Sequence, residues 1–219
     1  MIRAVLLDLD NTVYPFEPAQ REGLKKAFVI YKTEFSGSFE QFVKKFENAR
    51  EQVSLRLNNS PSSHNRILIF KELLESNHQC YSLTLLKKIY DQYQKAFLKK
   101  IKLHPQVKDF FAFCQKRNLP IAILSDHTTL QQTDKILEAK IDTKIALLIT
   151  SEEVGYDKPK KEMFEYVCQK LDVKFEECVM IGDNPVRDIE GAKKIGMKTI
   201  LVQKTFAPVL GELKKLLRA

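Results

Sequence analysis

The second half of the chain alternates short apolar runs with amphipathic segments, and this alternation restricts the fold more than any other feature. The apolar runs occupy residues 119–124, 145–149, 178–181 and 198–202. Between them, apolar residues recur at helical spacing, as at Leu130 and Leu137 after the first run. Such runs indicate strands buried on both faces, and strands that alternate with helices form parallel sheets with right-handed crossovers. The pattern therefore predicts an α/β fold with a parallel sheet.

A fifth apolar run, Ala4–Leu7, opens the chain and is separated from the other runs by a region of different character. In that region apolar residues follow helical spacing in four segments, one of which begins with a capping box at Ser38-Phe-Glu-Gln41. We therefore predict that residues 1–14 and 101–219 form a Rossmann-like core, and that residues 15–100 form an inserted α-helical domain.

Polar side chains follow three of the predicted strands. Asp8 and Asp10 come after the first strand, Ser125 ends the second, and Asp183 follows the fourth, while Lys158 lies on an intervening loop. Ligands of open α/β sheets bind outside the carboxyl ends of the strands, so these groups converge there if the three strands are neighbours. Clustered carboxylates repel each other unless a cation lies between them. Ligand sets made only of oxygen suit Mg²⁺, which is the cofactor that we predict.

Phosphoryl transfer is the chemistry that fits this set of groups. A metal ion and a lysine neutralise phosphate oxygens, and a serine hydroxyl holds them by hydrogen bonds. One aspartate attacks the phosphorus to give an aspartyl phosphate, and a second aspartate transfers the proton. The motifs Gly-x-x-x-x-Gly-Lys-Ser/Thr, Gly-x-Ser-x-Gly and His-Glu-x-x-His do not occur in the chain. We therefore do not expect a nucleotide triphosphatase of the P-loop type. We also do not expect the serine hydrolase or the zinc protease that the other two motifs indicate.

The composition indicates which classes of partner and which cellular compartment to expect. The formal net charge is +8, but the lysines occur as scattered pairs on the polar sides of predicted helices, so we expect no nucleic-acid partner. The chain has no apolar stretch of membrane-spanning length, and we expect no membrane association and no signal peptide. Its four cysteines form no Cys-x-x-Cys pair and are expected to be reduced core residues of a cytoplasmic protein. The expected assembly is a monomer or homodimer that binds a small phosphorylated metabolite.

Four segments together resemble the motifs of the haloacid dehalogenase superfamily, in the branch with a helical cap inserted after the first motif. The segments are Asp8-Leu9-Asp10-Asn11-Thr12-Val13, Ile123-Leu124-Ser125, Gly155-Tyr156-Asp157-Lys158-Pro159 and Ile181-Gly182-Asp183-Asn184-Pro185-Val186-Arg187-Asp188-Ile189-Glu190-Gly191-Ala192. Each segment alone is a weak signal, whereas all four in this order are specific. The resemblance covers the whole chain. It implies a phosphatase-like hydrolase whose catalytic core is the predicted Rossmann-like part and whose cap domain is the helical insertion.

The resemblance implies a catalytic role for four of the matching residues. Asp8 would be the nucleophile and a Mg²⁺ ligand. Asp10 would be the general acid/base, and its backbone carbonyl would reach the metal. Ser125 would bind the transferring phosphoryl group, and Lys158 would bind phosphate and stabilise the nucleophile and the developing charge.

The resemblance also implies supporting roles in metal and phosphate binding. Asp183 would bind the metal directly or through water, and Asp188 would support it. Asn11 and the backbone N–H of Asp126 would contact the phosphate. The family often has asparagine where this chain has Asp126, so a second negative charge would face the phosphate if this side chain pointed inward. We therefore expect the Asp126 side chain to point outward or to cap the following helix.

Several activities share these groups, and the sequence leaves them as alternatives. The leading hypothesis is a Mg²⁺-dependent phosphatase for a nucleoside monophosphate or a sugar phosphate. A sugar phosphomutase uses the same core and differs only in the fate of the phosphoryl group. A 2-haloacid dehalogenase is less favoured, because that chemistry needs neither Mg²⁺ nor Asp10 as an acid/base. A non-catalytic phospho-accepting protein is the alternative outside the enzymes.

Overall fold

The computed structural model describes residues 1–77 and 80–218, which form two compact units. The first unit combines Met1–Pro15 with the chain from Lys102 onward, and the second unit is Phe16–Ile101. His78, in the predicted insertion, and Ala219, at the end of the predicted core, lie outside the described residues. The roles of catalytic core and cap domain stay predictions for these two units.

The first unit is built on a parallel sheet that contains five strands within the described residues, in the order β3-β2-β1-β4-β5. The strands are β1 Ala4–Leu7, β2 Ile121–Ser125, β3 Leu147–Thr150, β4 Cys178–Gly182 and β5 Lys198–Leu201. Strand β1 lies between β2 and β4, with Leu7 in register with Ile123 and Ile181. The predicted α/β class is confirmed. The three strands whose ends carry the predicted polar groups are neighbours.

The regular secondary structure of the second unit is helical within its described residues. Its α-helices are α1 Phe16–Tyr31, α2 Phe39–Arg56, α3 Arg66–Glu75 and α4 Leu83–Lys100, with a 3₁₀ turn at Pro61–His64. The predicted capping box begins α2, because the Gln41 N–H donates to Ser38 Oγ and the Ser38 N–H donates to Gln41 Oε1. Phe70 of α3 contacts Phe46 of α2 and Tyr93 of α4, with ring centroids 5.3 and 5.2 Å apart. Aromatic side chains at helical spacing therefore form the core of this unit, as predicted.

Helices of the first unit pack against the sheet, and the central strands are buried. The helices of the first unit are α5 Val107–Lys116, α6 Thr129–Ala139, α7 Ser151–Val154, α8 Lys161–Leu171, α9 Gly191–Lys194 and α10 Val209–Leu216. Leu6 and Leu124 belong to a buried cluster with Phe164 and Val167 of α8. The described residues of β1, β2 and β4 are all buried. This burial explains why these strands are apolar along their whole length instead of alternating with polar residues.

The four cysteines form no disulfide, and three of them, Cys114, Cys168 and Cys178, are buried. Cys80 is exposed, so the expectation of a core position is wrong for this residue. In the part of the chain that the structure describes, no helix combines the length and the apolar composition needed to cross a bilayer.

The close packing of α1 on α4 depends on Gly23. A Cβ atom at this position would lie 2.8 Å from two ring atoms of the buried Tyr93 and 3.1 Å from its carbonyl oxygen. Gly211 of α10 is a helical glycine with no atom within 4 Å of such a Cβ. The two glycines therefore offer the same substitution in crowded and in open surroundings.

We expect Gly23→Ala to lower the free energy of unfolding and Gly211→Ala to raise it. Overpacking costs about 1–3 kcal/mol, which outweighs the roughly 0.5–1 kcal/mol that alanine gains over glycine in a helix. At position 211 only the gain applies. Urea unfolding midpoints followed by circular dichroism measure both effects. A Gly23→Ala variant as stable as Gly211→Ala would contradict this account of the packing.

Candidate active site

The Asp8 carboxylate lies at the carboxyl end of β1 and is bound on both of its oxygens. Oδ1 accepts a hydrogen bond from Lys158 Nζ at 2.7 Å, and Oδ2 accepts one from Thr12 Oγ1 at 2.8 Å. The backbone N–H of Asp8 donates to the carbonyl oxygen of Ile181, which continues the pairing of β1 with β4 past the end of the strand. Asp8 is only 6% exposed. Its side chain is therefore held in a fixed orientation by the sheet and two side chains.

Lys158 directs its ammonium group at three acceptors. Nζ lies 2.7 Å from Asp8 Oδ1, 2.8 Å from Asp188 Oδ1 and 2.9 Å from the carbonyl oxygen of Leu124. Two of these contacts, with Asp8 and Leu124, are hydrogen bonds, and the contact with Asp188 is an ion pair. Burial alone would lower the pKa of Lys158, but the carboxylates of Asp188 and Asp8 raise it well above its ordinary value. The site therefore contains a buried, charged lysine that lies against the predicted nucleophile.

Three carboxylates meet beside this lysine. Asp8, Asp183 and Asp188 each offer an oxygen, and these oxygens lie within 4.8 Å of one another. Burial, opposed by Lys158 and reinforced by Asp188, raises the pKa of Asp8 to about 8. Burial and Asp188 also raise the pKa of Asp183. A divalent cation bound by these oxygens would relieve the repulsion, so the donor set fits a hard cation such as Mg²⁺.

The position of Asp188 depends on Gly182 and Asn184. A Cβ atom at position 182 would lie 2.3 Å from Asp188 Oδ2 and 2.4 Å from its Cγ, so the site has no room for a side chain there. Asp188 Oδ2 accepts a hydrogen bond from the Asn184 N–H at 3.0 Å. The Asn184 side chain accepts from the N–H groups of Val186 and Arg187, which caps the π-helical turn that carries Asp188. The fourth motif therefore folds its own acidic residue back over the end of β4.

Asp10 has a different set of partners. Lys135 Nζ lies 2.7 and 3.0 Å from its two carboxylate oxygens. Gln132 Nε2 donates at 3.3 Å, and the Tyr14 hydroxyl donates to the same carboxylate. Burial would raise the pKa of Asp10, but Lys135 and the other donors hold it below its ordinary value. The Asp10 carboxylate does not belong to the three-carboxylate group, so its predicted role as a metal ligand is left to its backbone carbonyl.

Ser125 ends β2 as predicted and is connected to Asp10 through one residue. Gln132 Nε2 donates to Ser125 Oγ as well as to Asp10. Asn11 follows Asp10 in an exposed turn with φ +62°, a conformation that asparagine tolerates. Phosphate binding by Ser125 and Asn11 stays a prediction.

Asp126 corrects one expectation from the sequence. Its side chain is 8% exposed, and its Oδ1 accepts from the backbone N–H of Lys158 at 2.8 Å while Arg187 Nη1 lies 3.4 Å from Oδ2. It therefore neither points outward nor caps α6, whose first N–H, that of Thr129, donates instead to Glu152 Oε2 at 2.7 Å. The reason is that the loop carrying Lys158 needs an acceptor there, and a carboxylate supplies it. The predicted contact of its backbone N–H with phosphate stays a prediction.

Sequence reasoning missed Thr12, Gln132 and Lys135. Thr12 was predicted only as part of the first motif, yet its hydroxyl donates to Asp8 and lies 3.4 Å from Asp183 Oδ1. Gln132 and Lys135 lie three residues apart on α6, which is the spacing of one helix face. That spacing is a signal in the sequence, but the apolar residues Leu130 and Leu137 predict burial of the opposite side of the helix.

Comparisons with known proteins agree with this geometry. A family model described as a haloacid dehalogenase-like hydrolase matches residues 2–196. The chain is 33% identical over 204 residues to ribulose-1,5-bisphosphate 5-phosphatase of Halopiger xanaduensis, covering 92% of this chain and 84% of that protein. It is 26% identical over 208 residues to glyceraldehyde 3-phosphate phosphatase of Methanocaldococcus jannaschii, covering 93% and 86%.

A solved structure shares the fold at lower identity. The magnesium-bound crystal structure of a haloacid dehalogenase-type hydrolase from Bacillus subtilis matches with a TM-score of 0.76 at 18% identity, covering 97% of this chain and 99% of that one. This likeness concerns the fold alone. The family model spans all four motifs, and the structure brings their acidic residues and Lys158 together. The chain therefore belongs to the haloacid dehalogenase-like hydrolases.

Proposed function

We propose that this protein is a Mg²⁺-dependent phosphatase that hydrolyses a small sugar phosphate through phosphorylation of Asp8. The observation that carries this proposal is the buried Asp8 carboxylate, which lies between Lys158 and two further aspartates at the end of β1. The two curated relatives described above are phosphatases named for a phosphorylated sugar. Their names favour a sugar phosphate over a nucleoside monophosphate, the other substrate that the sequence leaves open.

Asp8 is the proposed nucleophile. Each of its oxygens accepts one hydrogen bond and keeps a further lone pair for attack on phosphorus. Attack forms the bond between the carboxylate oxygen and phosphorus and breaks the bond to the leaving oxygen, which departs with its electron pair. Water then attacks the aspartyl phosphate, releases inorganic phosphate and restores the carboxylate.

Asp10 is the proposed proton carrier for both steps. In the first step Asp10 gives a proton to the leaving oxygen, and because its pKa lies below the ordinary value, only a minor, protonated fraction of the enzyme is ready for this step at neutral pH. In the second step its carboxylate takes a proton from the attacking water, so the enzyme returns to its starting state. The partners of Asp10 differ from those of Asp8, which separates the group that transfers protons from the group that attacks.

The remaining groups bind the phosphoryl group and its charge. Asp8, Asp183 and Asp188 would hold Mg²⁺, with the backbone carbonyl of Asp10 completing the protein ligands. When bound, the metal would neutralise charge on the phosphoryl oxygens. Lys158 supplies a fixed positive charge beside the nucleophile, and Ser125 supplies a hydroxyl at the end of the neighbouring strand. The buried carboxylate group also argues against the dehalogenase alternative, because that chemistry needs no cation at this place.

Magnesium binding should distinguish Asp183 from Asp10. We expect Asp183→Asn to weaken Mg²⁺ binding by about tenfold or more, because the affinity of such a site depends on the number of its charged ligands. Asp10→Asn is the matched control, since the Asp10 carboxylate is bound by Lys135. The Mg²⁺ affinity of this variant should stay near that of the wild type. Isothermal titration calorimetry measures both. Equal losses in the two variants would place the Asp10 carboxylate in the metal site and contradict this assignment.

Phosphate release should depend on the metal. We expect hydrolysis of glyceraldehyde 3-phosphate, chosen from a panel of phosphate esters, to stop in excess chelator and to return when Mg²⁺ is added. Full turnover in chelator would contradict the proposed function. Product analysis with a bisphosphorylated sugar separates hydrolysis from transfer to a second hydroxyl, and isomerised sugar without released phosphate would identify a phosphomutase.

The two aspartates of the first motif should fail at different steps. Asp8→Asn removes the nucleophile, so no phosphoenzyme should form and turnover should fall to background. Asp10→Asn should slow turnover of a sugar phosphate by roughly 10²–10⁴-fold, because the proton donor is lost. With nitrophenyl phosphate, whose leaving group needs little protonation, the Asp10 variant should still form the phosphoenzyme and then stall.

Rapid-quench labelling with phosphorus-32 nitrophenyl phosphate measures this difference. We expect label to accumulate on the Asp10 variant and none to appear on the Asp8 variant. Label on Asp8→Asn, or equal residual activity in the two variants, would show that the roles are wrongly assigned.

A further inference from the structure

Helix α6 turns polar side chains toward the interior of the first unit. Gln132 is fully buried, and Lys135 is 4% exposed, whereas Leu130 and Leu137 are 68% and 56% exposed. An ordinary amphipathic helix has the reverse arrangement. A buried lysine is costly unless it is paired, so its position on this face requires a specific partner.

That partner is Asp10, which Lys135 binds at both carboxylate oxygens. The distances from Lys135 Nζ are 2.7 Å to Oδ2 and 3.0 Å to Oδ1. Gln132 adds a donor to Oδ2 at 3.3 Å, and Tyr14 adds a donor to Oδ1. Donors from two segments therefore fix the direction of a side chain that projects from the turn after β1.

Gln132 also connects Asp10 with Ser125. Its amide nitrogen carries two N–H groups and contacts both Asp10 Oδ2 and Ser125 Oγ. The predicted phosphate-binding hydroxyl and the predicted proton carrier are therefore held by the same buried side chain. A displacement of α6 would move both groups together.

We propose that Lys135, assisted by Gln132, is a positioning residue that holds the Asp10 carboxylate in place for proton transfer to and from the reacting oxygens. The inference rests on the phosphatase function proposed above. Lys135 acts through Asp10, and the site needs it because an aspartate side chain without fixed partners has several rotamers available. A misplacement of about 1 Å can cost about 10²-fold in rate, so fixing one rotamer is a large effect.

A positioning role makes a prediction about the leaving group. Lys135→Met removes the ammonium and keeps an unbranched side chain. We expect about a 10²-fold loss of kcat with glyceraldehyde 3-phosphate, whose alkoxide must be protonated, and a clearly smaller loss in phosphoenzyme formation with nitrophenyl phosphate. Lys144→Met is the matched control, because Lys144 is an exposed lysine in the 3₁₀ turn after α6. It removes the same charge and should leave both rates unchanged.

A double-mutant cycle tests whether Lys135 acts through Asp10. We expect Lys135→Met to cause no further loss of activity in an Asp10→Asn background, because the group that it positions is already absent. Multiplied losses, or equal losses with both substrates, would mean that Lys135 supports the fold in general and would overturn the inference. If Lys135→Met does not fold, Lys135→Gln carries the same two tests, since it also removes the ammonium but leaves Gln132 and its hydrogen bond to Ser125 in place.

A structural measurement separates this inference from the proposed function. Absence of phosphate release by the wild type with every ester of the panel would refute the phosphatase proposal. Crystal structures of the wild type and of Lys135→Met, or of Lys135→Gln if only that variant folds, test positioning without activity. We expect the Asp10 side chain to leave its place in the variant. An Asp10 side chain that stays in the same rotamer would overturn the positioning role even in an active enzyme.

Discussion

The ion pairs of Lys158 with Asp8 and Asp188 are the interaction on which the site depends. The ammonium lies 2.7 and 2.8 Å from the two carboxylates, and all three side chains are nearly inaccessible to solvent. Removing one partner of a buried pair leaves an uncompensated charge, which costs about 3–5 kcal/mol. Each of these residues comes from a different part of the chain: the end of β1, the loop before α8 and the turn after β4. The charges therefore hold together three segments that the sheet alone would leave as separate loops.

The sheet and one unexpected side chain make this arrangement possible. The strand order places β1 between β2 and β4. Asp8 therefore lies at the centre of the site, with Ser125 on one side and Asp183 on the other. Asp126 connects the loop that carries Lys158 with the turn that carries Arg187. Its carboxylate accepts a hydrogen bond from the backbone N–H of Lys158 and forms an ion pair with Arg187. An asparagine could accept the first of these hydrogen bonds but would carry no charge for the arginine. The departure from the usual family residue thus has a structural reason in this chain.

Most of the fold and part of the site could be predicted from the sequence, and the misses share one cause. Asp8 and Asp183 were placed correctly at strand ends, because short apolar runs reveal buried parallel strands. The hydrophobic pattern is misleading at α6, where the apolar residues Leu130 and Leu137 are exposed and three of the four buried residues are polar: Gln131, Gln132 and Lys135. Hydrophobic pattern predicts which side of a helix is buried only when that side packs against a core. A helix that packs against a polar site reverses the rule, and only the three-dimensional structure shows which case applies.

The two aspartates of the first motif show how environment assigns different chemistry to the same residue type. Asp8 is buried with two further carboxylates, which together with its burial raise its pKa and create a site that a cation would stabilise. Asp10, two residues later, is bound by Lys135 and has a pKa below the ordinary value. The two lysines therefore divide the acidic groups of the site into a set of three carboxylates beside Lys158, which fits a cation, and a separate carboxylate that is bound by Lys135. Lys158 was visible in a motif, whereas Lys135 is defined only by the packing of α6. Hence the first motif provides both carboxylates, and the surrounding helices and loops give them different partners; under the proposed function, Asp8 attacks and Asp10 transfers the proton.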